Sequence, residues 1–327
     1  MTRAAPDIDA SVLDERILAA EDSAYGAYGM SGTNRHLTVH SGTGSVRVRI
    51  REFGPADDPV PIVLMHGISS ANVLAAPLLP YLSGRRILAL DWPGHGLSDP
   101  CVLGPRVNLR AHVSAVITSA LDRLDLDVAD LLGHSLGAQF ALYTALDNPD
   151  RVRRIGLLGA PGASLRGVRP PAAMRPLAVR GLGPKLLAVP MPDKMFDRAQ
   201  DTVLGPGALS SAKPELTTAL RLISGRAGNA ASIASYFRSL LKVGIRPEVQ
   251  LPPEDLARIR QRVLMAWGDR DIFLSPDAGS KSIVSIPDVR FVRIVGAGHA
   301  PWLNAPDMVG AAVAEHLGTE PSAPIMH

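Results

Sequence analysis

The chain carries one cysteine, Cys101, among its 327 residues. A single thiol excludes an intramolecular disulfide and any cysteine-built metal centre. That suits a reducing compartment without requiring one, and Cys101, just after a turn, is expected to be an inert thiol. Net charge is nearly absent as well: 34 Lys and Arg against 31 Asp and Glu leave +3. So small a surplus does not point to nucleic acid, although the isoelectric point is about 9.2. No apolar run approaches the roughly 20 residues that cross a bilayer. The opening "MTRAAPDIDASVLDERILAAEDS" lacks the basic start and apolar core of a secretory signal, so a cytoplasmic protein is expected. The nine histidines are scattered, with no HExxH and no carboxylate–histidine cluster, and no Rossmann glycine fingerprint occurs. No metal and no cofactor are therefore expected. No internal repeat is found, and the one biased stretch is a polar C-terminus from about residue 319.

What is present reads as a large globular chain, either one domain or a domain with an insertion. Residues 9–22 predict a short amphipathic helix with Ser11 as N-cap and Asp14 and Glu15 in its first turn. The Gly-rich "YGAYGMSGTNRH" that follows is expected to be irregular, so residues 1–35 form an N-terminal helix and irregular extension. In "SVRVRIREFG", Val46, Val48 and Ile50 alternate with Arg47, Arg49 and Arg51. That pattern predicts a half-exposed antiparallel strand at a sheet edge.

From residue 61 the rhythm changes. "PIVLMHG", "RRILALDWPG", "VADLLGHS", "VRRIGLLGAPG", "RVLMAWGD" and "VRFVRIVGAGH" are short apolar runs ending in Gly, His or Asp, mostly separated by helical segments. Continuous apolar runs mean strands covered on both faces, and alternation with helices means a parallel sheet with crossovers. Ligands bind such sheets at the carboxyl ends of the strands, where this chain places its polar residues. Residues 162–256 break the alternation with helical patterns and Pro-rich connections. The expected organisation is a core over 36–161 and 257–327 with a helical cap over 162–256.

The stretch "DLLGHSLGAQFALYTAL" (130–146) sets Ser135 between Gly133 and Gly137, where an apolar run gives way to helical spacing. It reads as a strand-to-helix corner with the serine at its apex, the glycines leaving room for the tight backbone. A serine hydroxyl needs a neighbouring base, itself oriented by a third group. Asp271 in "WGDRDIF" and His299 in "GAGHAPW" supply candidates at the ends of two later strand-like runs.

With "DWPGHGLSDP" (91–100) and His66-Gly67, these pieces resemble, in order and strand context, a capped serine hydrolase of the α/β-hydrolase superfamily, over roughly residues 45–318. The resemblance implies an α/β-hydrolase fold: a mostly parallel central sheet flanked by helices, with a helical cap inserted after the sixth strand. It implies a Ser135–Asp271–His299 triad and an oxyanion hole from the backbone N–H groups of Ile68 and Leu136, with His66, Gly67, Gly133 and Gly137 in support. The acid falls on Asp271, Asp269 being expected to shape the turn; His66 is expected to brace the oxyanion loop, and His95 and His134 to be structural. A serine at the elbow excludes the aspartate-nucleophile relatives, the haloalkane dehalogenases and epoxide hydrolases. "GPGALSS" (205–211) lacks the lysine and the strand–helix context of a phosphate loop and is set aside.

The function expected first is hydrolysis of a carboxylic ester of a small or medium hydrophobic substrate through an acyl-serine. The alternative is a carbon–carbon bond hydrolase, a thioesterase or a lyase or elimination enzyme using the same triad; a non-catalytic ligand receptor is the third reading. The cap carries 13 Lys and Arg against seven Asp and Glu, a net +6. That surplus is read first as solvated helix faces, with an anionic substrate as the alternative. Of its apolar side chains, Met174, Leu177, Met191, Met195, Phe196, Leu220, Ile233, Tyr236 and Phe237 are candidates to line a pocket, most being expected in the cap's own core. A small-molecule substrate is the expected partner and a homodimer stays open; neither nucleic acid nor a membrane is expected.

Overall fold

Eight strands form one sheet in the computed structural model, which describes residues 10–318. They are β1 (Thr33–His40), β2 (Ser45–Phe53), β3 (Ile62–Met65), β4 (Ile87–Leu90), β5 (Ala129–His134), β6 (Val152–Leu158), β7 (Arg262–Gly268) and β8 (Val289–Ile294), in the spatial order β1-β2-β4-β3-β5-β6-β7-β8. The six apolar runs read from the sequence are β3 to β8, and all pair in parallel. Only β2 runs against the others, pairing antiparallel with both β1 and β4. Side chains alternate between two cores: Val63 and Met65 face one, Ile62 and Leu64 the other. Both faces are thus covered, which is why β3, β4 and β5 read as unbroken apolar runs.

The helices are α1 (Ala10–Ala27), α2 (Leu109–Arg123), α3 (Leu136–Asp147), α4 (Leu182–Ala188), α5 (Asp193–Leu204), α6 (Pro214–Ser224), α7 (Ala230–Leu240), α8 (Pro253–Leu256), α9 (Pro276–Ile283), α10 (Pro301–Asn304) and α11 (Pro306–Leu317). Helices α2, α3 and α9 contribute to the core on the Val63 side, and α1, α6 and α11 to the other. Between β6 and β7 lie α4 to α8 and no strand of the sheet, so the helical cap enters after the sixth strand.

Three expectations change. The N-terminal helix runs past residue 22 to Ala27, with Ser11 inside it rather than capping it. Tyr25, buried in its last turn, packs edge-on against Phe53 at 4.8 Å, so tertiary contact carries the helix through Gly26. Residues 33–36, expected to be irregular, belong to β1, a largely exposed edge strand whose sparse apolar residues hid it. Finally, β2 is not at the edge, and two of its arginines are buried: Arg49 is 1% and Arg51 3% exposed. The first residue of the predicted 9–22 helix and the polar stretch from 319 lie outside the described residues.

Arg49 is buried because carboxylates meet it from both sides. Its guanidinium binds both oxygens of Glu21 on α1 and, at 2.7–2.8 Å, Asp91 Oδ2 just after β4. Arg51 pairs with Asp22 and lies 5.1 Å from the Tyr25 ring centroid. The same helix reaches the cap, where Arg226 Nε meets Asp14 at 2.7 Å and Lys213 Nζ donates to the Ala27 carbonyl at 2.6 Å. Helix α1 is therefore a strap between core and cap. Arg49→Met, which strands two buried carboxylates, is expected to lower the unfolding free energy by about 3–5 kcal/mol in urea titrations. A loss under about 1 kcal/mol would mean that α1 is not held this way.

Candidate active site

Ser135 sits between the last residue of β5 and the first of α3 at φ 53°, ψ −114°, backbone that residues with a Cβ seldom adopt. The turn is this sharp because α3 is pressed against the strand ends. A Cβ on Gly133 would come 2.4 Å from the Gly137 carbonyl carbon, and one on Gly137 2.2 Å from the Met65 oxygen. Only glycine fits either position. The corner is held by Ser135 N–H donating to Leu158 O at 3.2 Å and by Gln139 N–H donating to Ser135 O at 3.1 Å.

Asp271 and His299 lie beyond the ends of β7 and β8, both buried. Asp271 Oδ2 is 2.8 Å from His299 Nδ1 and accepts from the Ala160 N–H at 2.8 Å; Oδ1 accepts from the Phe273 N–H at 2.9 Å. Burial alone would raise the Asp271 pKa, but the His299 ring and the two N–H donors outweigh it and hold it below the usual carboxylate range. An ionised Asp271 requires the proton on Nδ1, which leaves the lone pair on Nε2. Nε2 is buried with no hydrogen-bond partner among the described residues. The His299 ring lies between that of His134, next to Ser135, at 4.8 Å and that of Phe273 at 4.3 Å. Phe273 in turn lines the same pocket as Ser135. Asp269, by contrast, accepts from the Gly296 N–H at 2.8 Å and shapes the turn, as expected.

That pocket, of about 50 Å³, is walled by Ile68 and Leu136 beside Ser135 and by Val168, Met174, Phe237 and Leu241. Leu136 opens α3, so its N–H has no acceptor within the helix. Ile68 follows the His66-Gly67 pair after β3. His66 ties the ends of two strands together: Nδ1 donates to Gly67 O at 2.7 Å and Nε2 accepts the Trp92 N–H at 3.2 Å. A larger, mostly apolar cavity of about 340 Å³ begins at the next residues, Ser69 and Ser70, and shares Met174 with the first. Leu177, Met191, Phe196, Leu220 and Ile233 line it. Of the remaining cap candidates, Met195 is exposed, and Tyr236 is buried against His112 at 3.0 Å. No cation among the described residues lines the pocket at Ser135; Arg226, paired with Asp14, lines the larger cavity, and Arg221 and Arg246 are paired with carboxylates outside both.

Sequence reasoning missed two supports. His134 does more than fill the core: its ring packs on His299 and Trp302, each at 4.8 Å, and Nε2 donates to His299 O at 3.2 Å. The loop set aside at 205–211 presses on the His299 segment. Gly205, at φ 129°, would bring a Cβ within 2.6 Å of Gly298 Cα, and Ala300 N–H donates to Leu204 O at 2.9 Å. The signal was its glycine; what it touches lies about ninety residues away and is set by folding alone.

A family model described as "Alpha/beta hydrolase family" matches residues 62–312. A 2-hydroxy-6-oxononadienedioate/2-hydroxy-6-oxononatrienedioate hydrolase of Cupriavidus pinatubonensis is 27% identical over 290 residues, 84% of this chain and 92% of the relative. Among solved structures, carboxylesterase CesB from Bacillus subtilis superposes with a TM-score of 0.71 at 20% identity, covering 94% of this chain and 98% of the other. The meta-cleavage product hydrolase CumD does so at 0.66 and 18%, covering 87% and 97%.

Two outcomes are expected from this geometry. Gly205→Val should displace the His299 loop and slow labelling by a fluorophosphonate about tenfold to hundredfold, while Ser210→Ala on the same loop leaves it unchanged. Equal rates for the two variants would deny the loop that role. The second concerns pH. Burial pushes His95 down to about 3 and also lowers His66, His112 and His134. In the unfolded chain these rings bind protons near pH 6.5, so below that pH the unfolded state holds more protons. Stability is therefore full above about pH 6.5 and falls as pH drops towards the folded values, by up to about 1.4 kcal/mol per pH unit for each ring. Urea midpoints from about pH 7.5 to about pH 5 should fall accordingly, and His95→Phe should flatten the slope. A level profile would contradict neutral buried rings.

Proposed function

The chain belongs to the alpha/beta hydrolase family, and on that premise we propose that it is a serine hydrolase in which Ser135 attacks a carbonyl carbon. The observation that carries the reading is the buried His299–Asp271 pair at 2.8 Å, its Nε2 unpartnered, beside the Ser135 corner. As the Oγ–carbon bond forms, His299 Nε2 takes the hydroxyl proton and Asp271 holds the imidazolium. The oxyanion lies between the N–H groups of Leu136 and Ile68, each worth about 3 kcal/mol of transition-state stabilisation. Collapse breaks the bond to the leaving group, which takes the proton from His299. Water, deprotonated by the same nitrogen, then releases the acyl group from Ser135.

The bond we assign first is a carbon–carbon bond beside a ketone. The curated relatives at 27% identity over most of the chain are named as hydrolases of 2-hydroxy-6-oxononadienedioate. This reverses the order expected from the sequence, where the ester stood first. In carbon–carbon cleavage the leaving carbon departs as a stabilised carbanion, which His299 protonates. Ester cleavage is the second reading, favoured by the fully apolar wall at Ser135. A dioate carboxylate would find no counter-charge in that pocket, so in both readings the substrate presents an apolar end there.

The test pairs wild type with Ser135→Ala on two substrate types: p-nitrophenyl butyrate, and a 2-hydroxy-6-oxohexa-2,4-dienoate with an apolar 6-substituent, followed by loss of its dienol absorbance. Turnover of the second that falls by about 10⁴ or more in the variant supports carbon–carbon hydrolysis. Turnover of the butyrate alone moves the assignment to an ester. No turnover of either, together with no fluorophosphonate labelling of Ser135, would overturn the serine mechanism.

A further inference from the structure

Among the described residues, exposed large apolar side chains concentrate in one segment of the cap. Val179, Leu182, Leu186, Val189, Met191 and Met195 are each 43–66% exposed and all fall between residues 179 and 195. The other large exposed apolar side chains are scattered along the chain. Exposed apolar side chains gathered in one segment, three of them lining one cavity, mark an interaction surface.

Basic residues are interleaved with them. Arg175, Arg180, Lys185, Lys194 and Arg198 are exposed, and none forms an ion pair among the described residues. The two nearby carboxylates, Asp193 and Asp197, are both taken by Arg221. The patch thus combines bare hydrocarbon with five uncompensated cations. The apolar cavity of about 340 Å³ is lined by Leu186, Val189 and Met191 of this patch and, at its other end, by Ser69, Ser70 and Leu74 near Ile68.

We propose that residues 175–198 form a docking surface for an anionic lipid bilayer, seating the cap on the headgroups with its apolar side chains inserted. Peripheral docking needs no spanning run, only an apolar face with cations around it. The sequence's lack of a spanning run, which led to the expectation of no membrane partner, does not bear on it. Charge decides against a second copy of the chain: a two-fold contact through this patch would set five unpaired cations against five more. Rigid anchoring of the neighbouring α7 fits the same division of labour. Ser232 and Ser235 accept the N–H groups of Cys101 and Leu103 at 2.9 Å, and Asn229 donates to Gly96 O at 2.9 Å, so this helix is sewn to the core. Among the described residues, no side chain between 179 and 195 makes a comparable bond to the core. Docking itself stands on the surface alone. That an amphiphile then enters the cavity from the bilayer rests on the serine-hydrolase reading above.

The experiment is co-sedimentation of the full chain with vesicles of phosphatidylcholine alone and of an equal mixture with phosphatidylglycerol. Ser135→Ala is run alongside wild type, so that failure of the chemistry and failure of the docking are told apart. Binding to the mixed vesicles only, weakened by salt and equal in Ser135→Ala, is expected. Lys185→Gln combined with Lys194→Gln should lower the partition coefficient about thirtyfold. Leu182→Asp combined with Met195→Asp should abolish binding, and neither pair lines the cavity or should alter the thermal melt. No binding to mixed vesicles, or binding indifferent to both double variants, would overturn the proposal. So would a dimer in sedimentation velocity that Met195→Asp splits, which would assign the patch to self-association.

Discussion

The close approach of α3 to the ends of β3 and β5 is the contact on which the site depends. Two glycines let backbone touch backbone there, with no room for a Cβ on either. That approach forces Ser135 into backbone of positive φ at the corner. It also brings the first N–H of α3 beside the loop that carries Ile68, both lining one pocket. A gap of one methyl group at Gly137 would separate the elements that the proposed chemistry needs together.

A second layer of constraint works at longer range. Arg49 is buried with Glu21 on one side and Asp91 on the other, and Asp91 also accepts from Asn72 and from the Leu97 N–H, each at 3.0 Å. The loop after β4, the segment that follows the Ile68 loop, and the N-terminal strap thereby share one buried charge cluster. Such clusters contribute little net stability compared with an apolar core, but they penalise any arrangement that leaves one member unpaired. Their effect here is to specify where α1 lies, and α1 in turn sets the cap at Asp14 and Ala27.

The cap divides into two parts with different physics. Helix α7 is bound to the core by side-chain hydroxyl and amide bonds and walls the Ser135 pocket with Phe237 and Leu240. Residues 175–198 carry the unpaired cations and the bare apolar side chains, and enclose the larger cavity. The net +6 of the cap is therefore not placed at the Ser135 pocket, whose lining is apolar. The charge surplus lies on the outer surface, where solvent and surface partners meet it.

Local rules made much of this legible. Strands β3 to β8 are short apolar runs covered on both faces, and the glycine pair around Ser135 marks a corner whatever surrounds it. The pairing of Asp271 with His299 was also readable, because strand ends in a parallel sheet converge on one edge. The buried arginines of β2 were not, since alternation of charge with valine has the same look whether the charges face water or carboxylates from another element. Edge strand β1 had too few apolar residues to register. Gly205 and His134 acquire their meaning only from Gly298 and His299, which folding brings to them. Sequence alone determined strands β3 to β8 and the residues that follow their carboxyl ends, because those depend on neighbours a few positions away. Tertiary structure decided which charges are buried, which glycines are obligatory and which apolar side chains stay bare, because each of these depends on what arrives from far along the chain.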